Sequence, residues 1–317
     1  MIMRYFIAAY CVLSLSSSAS AQLGKEISGS KLLTTSIRTG DTEVFIFDPV
    51  TADAFNVTKA PSSEERYPIW MPDGKQVVFT SNREDEKTFN LYIANADGSQ
   101  VRKLTHETGG AVYYFPSVQE DGRRIWFSMA KEEKTMIGYV SPDGKEYREI
   151  ANGRDGTISP DGKWIAFTQN TGKGFPLFLM KSDGTEVRQI TQHIDEIGAV
   201  APAWSPDGKK ILYADQVGDF LEIFICDQNG QNLKQLTKLN KISSSAAWSP
   251  DGKYITFRVT DDAYWRNTQS RVKAYDEKIG DKRPVYIMRS DGTDVQIIEA
   301  LHYQCGIDGS RPMWKPK

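Results

Sequence analysis

Apolar and polar positions follow one pattern repeatedly along the chain. An apolar stretch runs into a turn of the type Ser-Pro-Asp-Gly, and a strongly apolar stretch such as Gln76–Thr80 follows it. After a polar loop comes a third apolar stretch, such as Asn90–Ala94. A second turn of Asp-Gly or Asn-Gly leads to a short stretch that ends in a pair such as Leu104-Thr105. Short apolar runs bounded by turn residues are typical of β-strands, so each unit predicts a sheet of four strands.

The Ser-Pro-Asp-Gly turn recurs with a spacing that indicates the architecture. Clear copies begin at Trp70, Trp204 and Trp248, and degenerate copies span 118–122 and 158–162. Their aspartates are separated by 48, 40, 46 and 44 residues, which is the period of a four-stranded propeller blade. The sequence therefore predicts an all-β fold, a β-propeller.

Each residue type in the Ser-Pro-Asp-Gly turn suits a hairpin. Proline is preset for the second position of a type I turn, and serine and aspartate bond to nearby amides. Glycine adopts the left-handed conformation that closes the hairpin with a bulge. A calcium loop would need further carboxylates at ligand spacing, and none follow these turns, so we interpret them as hairpins.

Both ends of the chain are needed to complete one blade. Residues 311–316 have the pattern of an inner strand, and 31–35, 43–47 and 54–57 have the pattern of a second, third and fourth strand. The C-terminal strand would join the N-terminal blade and close the ring, which removes exposed sheet edges. The sequence thus predicts a six-bladed β-propeller with blades at 306–317 with 28–60, 66–106, 113–151, 155–192, 199–238 and 244–300.

The Trp-Ser-Pro-Asp-Gly-Lys unit and the apolar strand after it resemble the PD40 repeat of the TolB-like propellers. Similar repeats occur in the propeller domains of tricorn-type and prolyl-oligopeptidase-type peptidases and in oligogalacturonate lyases. TolB itself carries an α/β domain ahead of its blades, whereas here strands begin soon after residue 21, so the resemblance implies the propeller only. The peptidases append a hydrolase domain with a G-x-S-x-G nucleophile elbow. This sequence has no such motif, and we do not expect a serine peptidase.

The first 21 residues have the pattern of a secretory signal peptide. Arg4 precedes a mostly apolar stretch, 6–15, and Ala19-Ser20-Ala21 forms an A-x-A cleavage site. The apolar stretch is too short to span a bilayer. We expect residues 22–317 to form a single propeller domain that is periplasmic or secreted.

The charge balance limits the kinds of partner that we expect, and the positions of the cysteines bear on disulfide bonds. The chain has 39 basic and 41 acidic residues and no basic run of five or more, which argues against nucleic acid and an anionic membrane surface. Cys226 lies in an apolar stretch and Cys305 in a polar one, so inert thiols are expected rather than a disulfide framework. No stretch after residue 21 is long enough for a membrane span, and we expect a monomer.

Residues just before each inner strand are expected to line the mouth of the central channel. This face, opposite the Ser-Pro-Asp-Gly turns, is named the funnel face. Its carboxylates, guanidinium groups and phenols suit a polar ligand such as a sugar or a peptide end. The alternative is that they cap strand ends and pair with each other. The candidate ligand-binding residues are Glu65, Arg66, Tyr67, Tyr113, Tyr114, Arg154, Asp155, Asp195, Glu196, Asp308 and Arg311.

An insertion at about 261–283 lengthens the sixth blade on the same face. The distance from Trp248 to Trp314 is 66 residues, longer than the other units. The insertion mixes aromatic residues with both charge signs, which suits a lid over a ligand. The alternative is a surface loop that packs on a neighbouring blade. The candidate lid residues are Tyr264, Trp265 and Arg266.

The three histidines, His106, His193 and His302, occupy equivalent places in alternate blades. A three-histidine metal site is one interpretation. Equivalent outer positions of alternate blades lie beyond a metal's reach unless the loops fold inward, so we expect no metal and no cofactor. The resemblance to oligogalacturonate lyases implies a histidine-rich funnel with a divalent metal, but this sequence lacks a closely spaced histidine cluster.

Two functions remain open, and no catalytic residue is assigned. The favoured function is a binding or scaffold module that engages an envelope protein or a glycan through the funnel face. The alternative is a carbohydrate-active enzyme, a lyase of acidic oligosaccharides. It would use Tyr113, Tyr114 or His302 as the base, and Arg66, Arg154 or Arg311 to neutralise a uronate.

Overall fold

The fold is all-β, as predicted. A computed structural model describes residues 22–192, 200–260, 284–298, 301 and 310–317. Its twenty-four strands form six four-stranded antiparallel blades. Two parallel bridges also link neighbouring blades, Phe89 with Val112 between the second and third and Leu221 with Ile242 between the fifth and sixth. Residues 22–26 form a helical turn before the first strand. No helix in the described ranges is long and apolar enough to cross a membrane.

The strands of each blade follow one another in the chain except in the first blade. The first three blades comprise β24 (Met313–Trp314), β1 (Leu32–Ser36), β2 (Glu43–Phe47) and β3 (Ala54–Asn56); β4 (Glu65–Trp70), β5 (Gln76–Ser81), β6 (Asn90–Asn95) and β7 (Arg102–Lys103); and β8 (Val112–Val118), β9 (Ile125–Lys131), β10 (Lys134–Val140) and β11 (Tyr147–Asn152). The last three comprise β12 (Arg154–Ile158), β13 (Trp164–Thr168), β14 (Leu177–Lys181) and β15 (Arg188–Gln189); β16 (Val200–Trp204), β17 (Lys210–Val217), β18 (Phe220–Asp227) and β19 (Lys234–Gln235); and β20 (Ile242–Trp248), β21 (Tyr254–Thr260), β22 (Val285–Arg289) and β23 (Gln296–Ile297).

The C-terminal strand lies in the first blade, where the sequence predicts it. Strand β24 pairs antiparallel with β1. Arg258 of the sixth blade is buried beside this pairing. Its Nε donates to the carbonyl of Ser310 at 2.6 Å, and its Nη2 donates to Oγ1 of Thr34 at 2.6 Å. Both ends of the described chain and the sixth blade therefore meet at one seam.

The apolar core is divided among the spaces between neighbouring blades. Six clusters of buried side chains are present in the described ranges, and each spans two adjacent blades. The cluster between the sixth and first blades includes Phe45, Phe47 and Trp314 on one side and Tyr254 and Ile287 on the other. Burying one such side chain contributes about 1.5–3 kcal/mol, so blade-to-blade packing is the main source of stability.

The Ser-Pro-Asp-Gly turns are hairpins held by their own side chains. In the fifth blade, Ser205 Oγ donates to Asp207 Oδ1 at 2.6 Å and the amide of Lys209 donates to the same oxygen at 3.1 Å. The amide of Gly208 donates to the carbonyl of Ser205 at 2.9 Å, and Gly208 has a φ of 67°. Local hydrogen bonds thus satisfy the aspartate, as the hairpin interpretation requires.

Where a tryptophan precedes the turn, it can link its inner strand to the preceding one. The indole Nε1 of Trp204 donates to the carbonyl of Thr157 at 3.1 Å, and that of Trp248 donates to Ala203 at 3.4 Å. Since Thr157 and Ala203 lie in the blade before each tryptophan, these bonds fix the spacing of inner strands around the channel.

The threonine of the Leu-Thr pair secures the outer edge of a blade. The amide of Leu91 donates to Thr105 Oγ1 at 3.0 Å, and the amide of Ile223 donates to Thr237 Oγ1 at 2.8 Å. The hydroxyl oxygen accepts this hydrogen bond just beyond the end of the short fourth strand. The backbone amide of the third strand at that point is therefore not left without a partner.

Cys226 is a buried free thiol in β18. Burial raises its pKa to about 12, so the group stays protonated at neutral pH and is a poor nucleophile. Cys305 lies outside the described residues.

Candidate functional site

The inner strands share a bulge that places one residue of each blade at the channel. The pairing of β4, β8, β12, β16 and β20 with the next strand shifts at equivalent steps. Left-handed φ values of 46–58° occur there, and their repetition indicates that the fold imposes them. Arg311, before Pro312, has the equivalent position in the C-terminal strand. The bulge ring is therefore Tyr67, Phe115, Asp155, Ala201, Ser245 and Arg311.

Three side chains of the bulge ring, those of Tyr67, Phe115 and Arg311, lie close together. The rings of Tyr67 and Phe115 lie 4.9 Å apart, and the Arg311 guanidinium lies 5.2 Å from the Phe115 centroid. Arg311 belongs to the first blade, yet its Nη2 donates to the carbonyl of Pro202 in the fifth blade at 2.7 Å. The void beside Tyr67, Phe115 and Arg311 is only about 10 Å³, about enough for one water. Among the described residues, Tyr67, Phe115 and Arg311 therefore pack closely at the level between the two ends of the channel.

Two guanidinium groups share one carboxylate at this level. Asp155 is 2% exposed, and its Oδ2 lies 3.7 Å from Nε of Arg154. Arg311 is 8% exposed; burial lowers its pKa to about 10, against the opposing effect of the Asp155 charge. Arg311 is therefore still protonated at neutral pH, and the three groups together carry a net positive charge.

One step toward the funnel face, three neighbouring blades present an arc of large polar side chains. Arg66, Tyr114 and Arg154 hold the same register position, just before the bulge, and are named the basic arc. The Arg66 and Arg154 guanidinium groups lie 4.4 Å and 4.6 Å from the centroids of Phe89 and Phe175, which are cation–π distances. The other three blades have Val200, Ser244 and Ser310 at this position.

Aromatic rings fill the space between the basic arc and the bulge ring. Tyr114 lies 6.4 Å from Tyr67 and 5.8 Å from Phe115 between ring centroids, and all three side chains are half-buried. Burial, followed by the charge of Asp155, raises the pKa of Tyr114. The Tyr114 hydroxyl therefore stays protonated, and it offers a donor and an aromatic face rather than a base.

Two of the sequence-predicted residues lie within blades rather than at the channel. Tyr113 is fully buried, and its hydroxyl donates to the hydroxyl of Tyr147 at 3.2 Å. Glu65 is also fully buried; its Oε1 accepts from the hydroxyls of Ser63 at 2.6 Å and Ser81 at 2.8 Å. Both side chains therefore form hydrogen bonds inside the blades, and burial strongly raises the pKa of Tyr113.

Glu65→Gln is expected to make the protein less sensitive to pH. Burial raises the pKa of Glu65 above 4.5, outweighing the hydrogen bonds of Ser63 and Ser81 and the charge of Arg83. The folded state then binds more protons than the unfolded state above pH 4.5, so this group's contribution to stability falls as pH rises through its folded pKa. Melting temperatures measured from pH 4.5 to 8 should rise for the variant relative to the wild type as pH increases. Parallel curves would contradict the prediction.

Several predicted site residues lie outside the described ranges. They are Asp195, Glu196, Asp308, His193 and His302, together with the lid residues Tyr264, Trp265 and Arg266. In the remainder of the chain no three His, Cys, Asp or Glu side chains are grouped so as to hold a metal ion.

Phe115 is the channel residue that sequence reasoning missed. It precedes Pro116 as Tyr67 precedes Pro68, and the proline could have served as the register mark. A phenylalanine carries neither a charge nor a hydroxyl group, so it is not an obvious candidate for binding a polar ligand.

The other end of the channel holds a cavity of about 370 Å³, which is named the turn-face cavity. Its mouth is formed by the prolines of four Ser-Pro-Asp-Gly-type turns, by Pro316 of the C-terminal segment and by Glu120 in the third blade, and Arg311 lines it from the bulge ring. The walls are mainly apolar, with side chains from all six blades. They include Ile69, Trp70, Val118, Ile158, Trp204, Ala247, Trp248 and Met313.

The repeats match a known family. Residues 26–198, more than half of the chain, match the family described as TolB beta propeller domain, PD40. The chain belongs to the TolB β-propeller family. The resemblance read from the turns is thereby confirmed.

Curated relatives share part of this propeller. The chain is 31% identical over 145 residues to dipeptidyl-peptidase 5 of Porphyromonas endodontalis, covering 41% of this chain and 21% of the relative. It is 27% identical over 125 residues to the Tol-Pal system protein TolB of Anaeromyxobacter dehalogenans, covering 38% and 28%. The chain thus spans between a fifth and a third of the length of these relatives.

Solved structures with the same fold cover most of the chain. TolB from Acinetobacter baumannii superposes with a TM-score of 0.66 at 19% identity, covering 91% of this chain and 66% of that one. An oligogalacturonate lyase in complex with manganese gives 0.58 at 16% identity, covering 84% and 73%. At these identities the similarity establishes the propeller fold alone.

Proposed function

We propose that this protein is a non-catalytic binding module that engages an envelope protein through its funnel face. The observation that carries the proposal is the basic arc, in which Tyr114 lies between two arginines of neighbouring blades. Partly exposed arginine and tyrosine side chains are the types most enriched where proteins bind one another.

The contacts of the basic arc favour a partner segment with acidic side chains. Arg154 is held over Phe175, and Arg66 is held over Phe89 and forms an ion pair with Glu64. A guanidinium whose plane is fixed loses little conformational entropy when it binds a carboxylate with two parallel hydrogen bonds. Asp155 and Arg311 lie beneath the arc, and together with Arg154 of the arc they carry a net positive charge that also attracts an acidic segment.

Two further observations support an envelope location and a protein partner. The first 21 residues have the pattern of a signal peptide. One relative is named as a Tol-Pal system protein. By analogy, we expect the partner of this chain to be a protein.

A polysaccharide lyase is less well supported by the described residues. The two tyrosines considered as the base, Tyr113 and Tyr114, both have raised pKa values because they are buried. A proton acceptor needs the opposite shift to act near neutral pH.

The test is affinity capture from envelope extract with two double variants as baits. Arg66→Ala with Arg154→Ala removes two positive charges from the basic arc. Arg123→Ala with Lys163→Ala removes two from the exposed Ser-Pro-Asp-Gly face, where their side chains are 84% and 74% exposed. We expect at least a tenfold loss of one captured protein with the first variant and retention with the second, measured by quantitative mass spectrometry.

Equal capture by all three baits would contradict the proposal. Incubation with acidic oligosaccharides provides the second arm of the test. An ultraviolet-absorbing unsaturated product would favour the lyase. Saturable binding of an oligosaccharide without product would mean that the partner is a glycan rather than a protein.

A further inference from the structure

The turn-face cavity combines apolar walls with one buried charge. Its volume of about 370 Å³ is within the range of small-molecule sites. Among the described residues that line it, Glu120 is exposed at the mouth and Arg311 is the buried charged group. A ligand there would meet hydrocarbon along most of its length and a guanidinium at the inner end.

Arg311 has a buried N–H group that is available to hydrogen-bond a ligand. Its Nη2 donates to the carbonyl of Pro202, whereas its Nε has no hydrogen-bond partner. A buried donor without a partner is destabilising, and a native protein rarely leaves one without a reason. A carboxylate accepts such hydrogen bonds and also neutralises the positive charge.

Electrostatics at the inner end favour an anion over a neutral ligand. Asp155 is shared with Arg154, whose Nε lies 3.7 Å from its Oδ2. Arg311 therefore lacks a carboxylate of its own among the described residues, and one net positive charge remains close to the cavity. The attraction between opposite charges is strengthened where water is excluded.

On one side, the cavity is lined by smaller side chains than the repeat pattern would place there. At the position where three other blades carry the tryptophans that line the wall, the third and fourth blades have Val118 and Ile158. Both side chains are smaller than an indole, so the cavity is wider here than tryptophans at these two positions would leave it.

We propose that the turn-face cavity binds a small carboxylic acid with an apolar body, whose carboxylate pairs with Arg311. The apolar body lies along the wall formed by Val118, Ile158 and the tryptophans. This site is separate from the funnel face, because the bulge ring lies between them.

The test compares octanoate with octan-1-ol, which has the same hydrocarbon length and no charge. Binding to the full chain is followed by calorimetry and by intrinsic tryptophan fluorescence, to which Trp70, Trp204 and Trp248 in the cavity wall contribute. We expect saturable octanoate binding at least tenfold tighter than octanol binding. Arg311→Met should weaken octanoate binding at least tenfold, to the level of octanol, whereas Arg123→Met on the exposed turn should leave it unchanged.

A second variant tests the wall without touching the charge. Val118→Trp gives the third blade the residue that four other blades carry at this position, so we expect it to be compatible with the fold and to narrow the cavity on this side. Octanoate binding should weaken at least tenfold while Arg311 is intact. The proposal is overturned if octanoate does not bind saturably, if octanol binds equally well, or if Arg311→Met or Val118→Trp binds octanoate as the wild type does.

Discussion

Replacing Gly230 by alanine is expected to lower the free energy of unfolding by about 3 kcal/mol or more. Gly230 closes the outer hairpin of the fifth blade with a φ of +73°, and an added Cβ would lie 2.5 Å from the carbonyl oxygen of Ile190 in the fourth blade. The clash is with backbone rather than a flexible side chain. Relief would require the two blades to move apart.

Gly172→Ala is the matched control. Gly172 has a φ of +77° and no atom within 4 Å of the position of an added Cβ, so it isolates the cost of a left-handed alanine, about 1–2 kcal/mol. Urea unfolding of both variants measures the difference. Equal losses would show that the contact between blades adds nothing and that only backbone conformation matters.

Trp314→Ala is expected to destabilise the protein by about 3–5 kcal/mol. Trp314 is 7% exposed, belongs to the cluster between the sixth and first blades, and donates from its indole to Thr256 Oγ1 at 3.1 Å. The substitution empties the seam and removes a hydrogen bond that crosses it. Hydrogen exchange of the β1 amides should also accelerate, since β24 covers one edge of that strand.

Lys317→Ala serves as the comparison for the seam, because Lys317 is exposed close to the same strand. It should change stability by less than about 0.5 kcal/mol. A loss for Trp314→Ala no greater than this, with unchanged exchange in β1, would contradict a structural role for the seam.

The repeat made most of the fold predictable from the sequence. Local turn chemistry determines where hairpins form, and the predicted stretch 43–47 coincides with β2. Strand β24 could be predicted because 311–316 repeat the inner-strand pattern that precedes each turn. These features depend on residues close together in the chain, which one sequence displays directly.

The candidate site was less predictable because a bulge interrupts the alternation of side chains. Regular alternation would place Glu65 and Tyr67 on the same side of β4, but Glu65 is buried within the blade while Tyr67 contacts Phe115. The sequence does not reveal where the register shifts. The turn-face cavity was missed for a related reason: its volume depends on how six strands converge, whereas the turns that surround it look uniform.

At the left-handed bulge, the backbone conformation does not depend on the type of side chain. Tyr, Phe, Asp, Ala and Ser all adopt the same φ at this step, so the surrounding strands, rather than residue preference, set the conformation. Ala201 and Ser245 are the small members, in two adjacent blades. We therefore expect larger side chains at these two positions to keep the backbone conformation, so that a small combinatorial library could vary the lining of the channel one blade at a time.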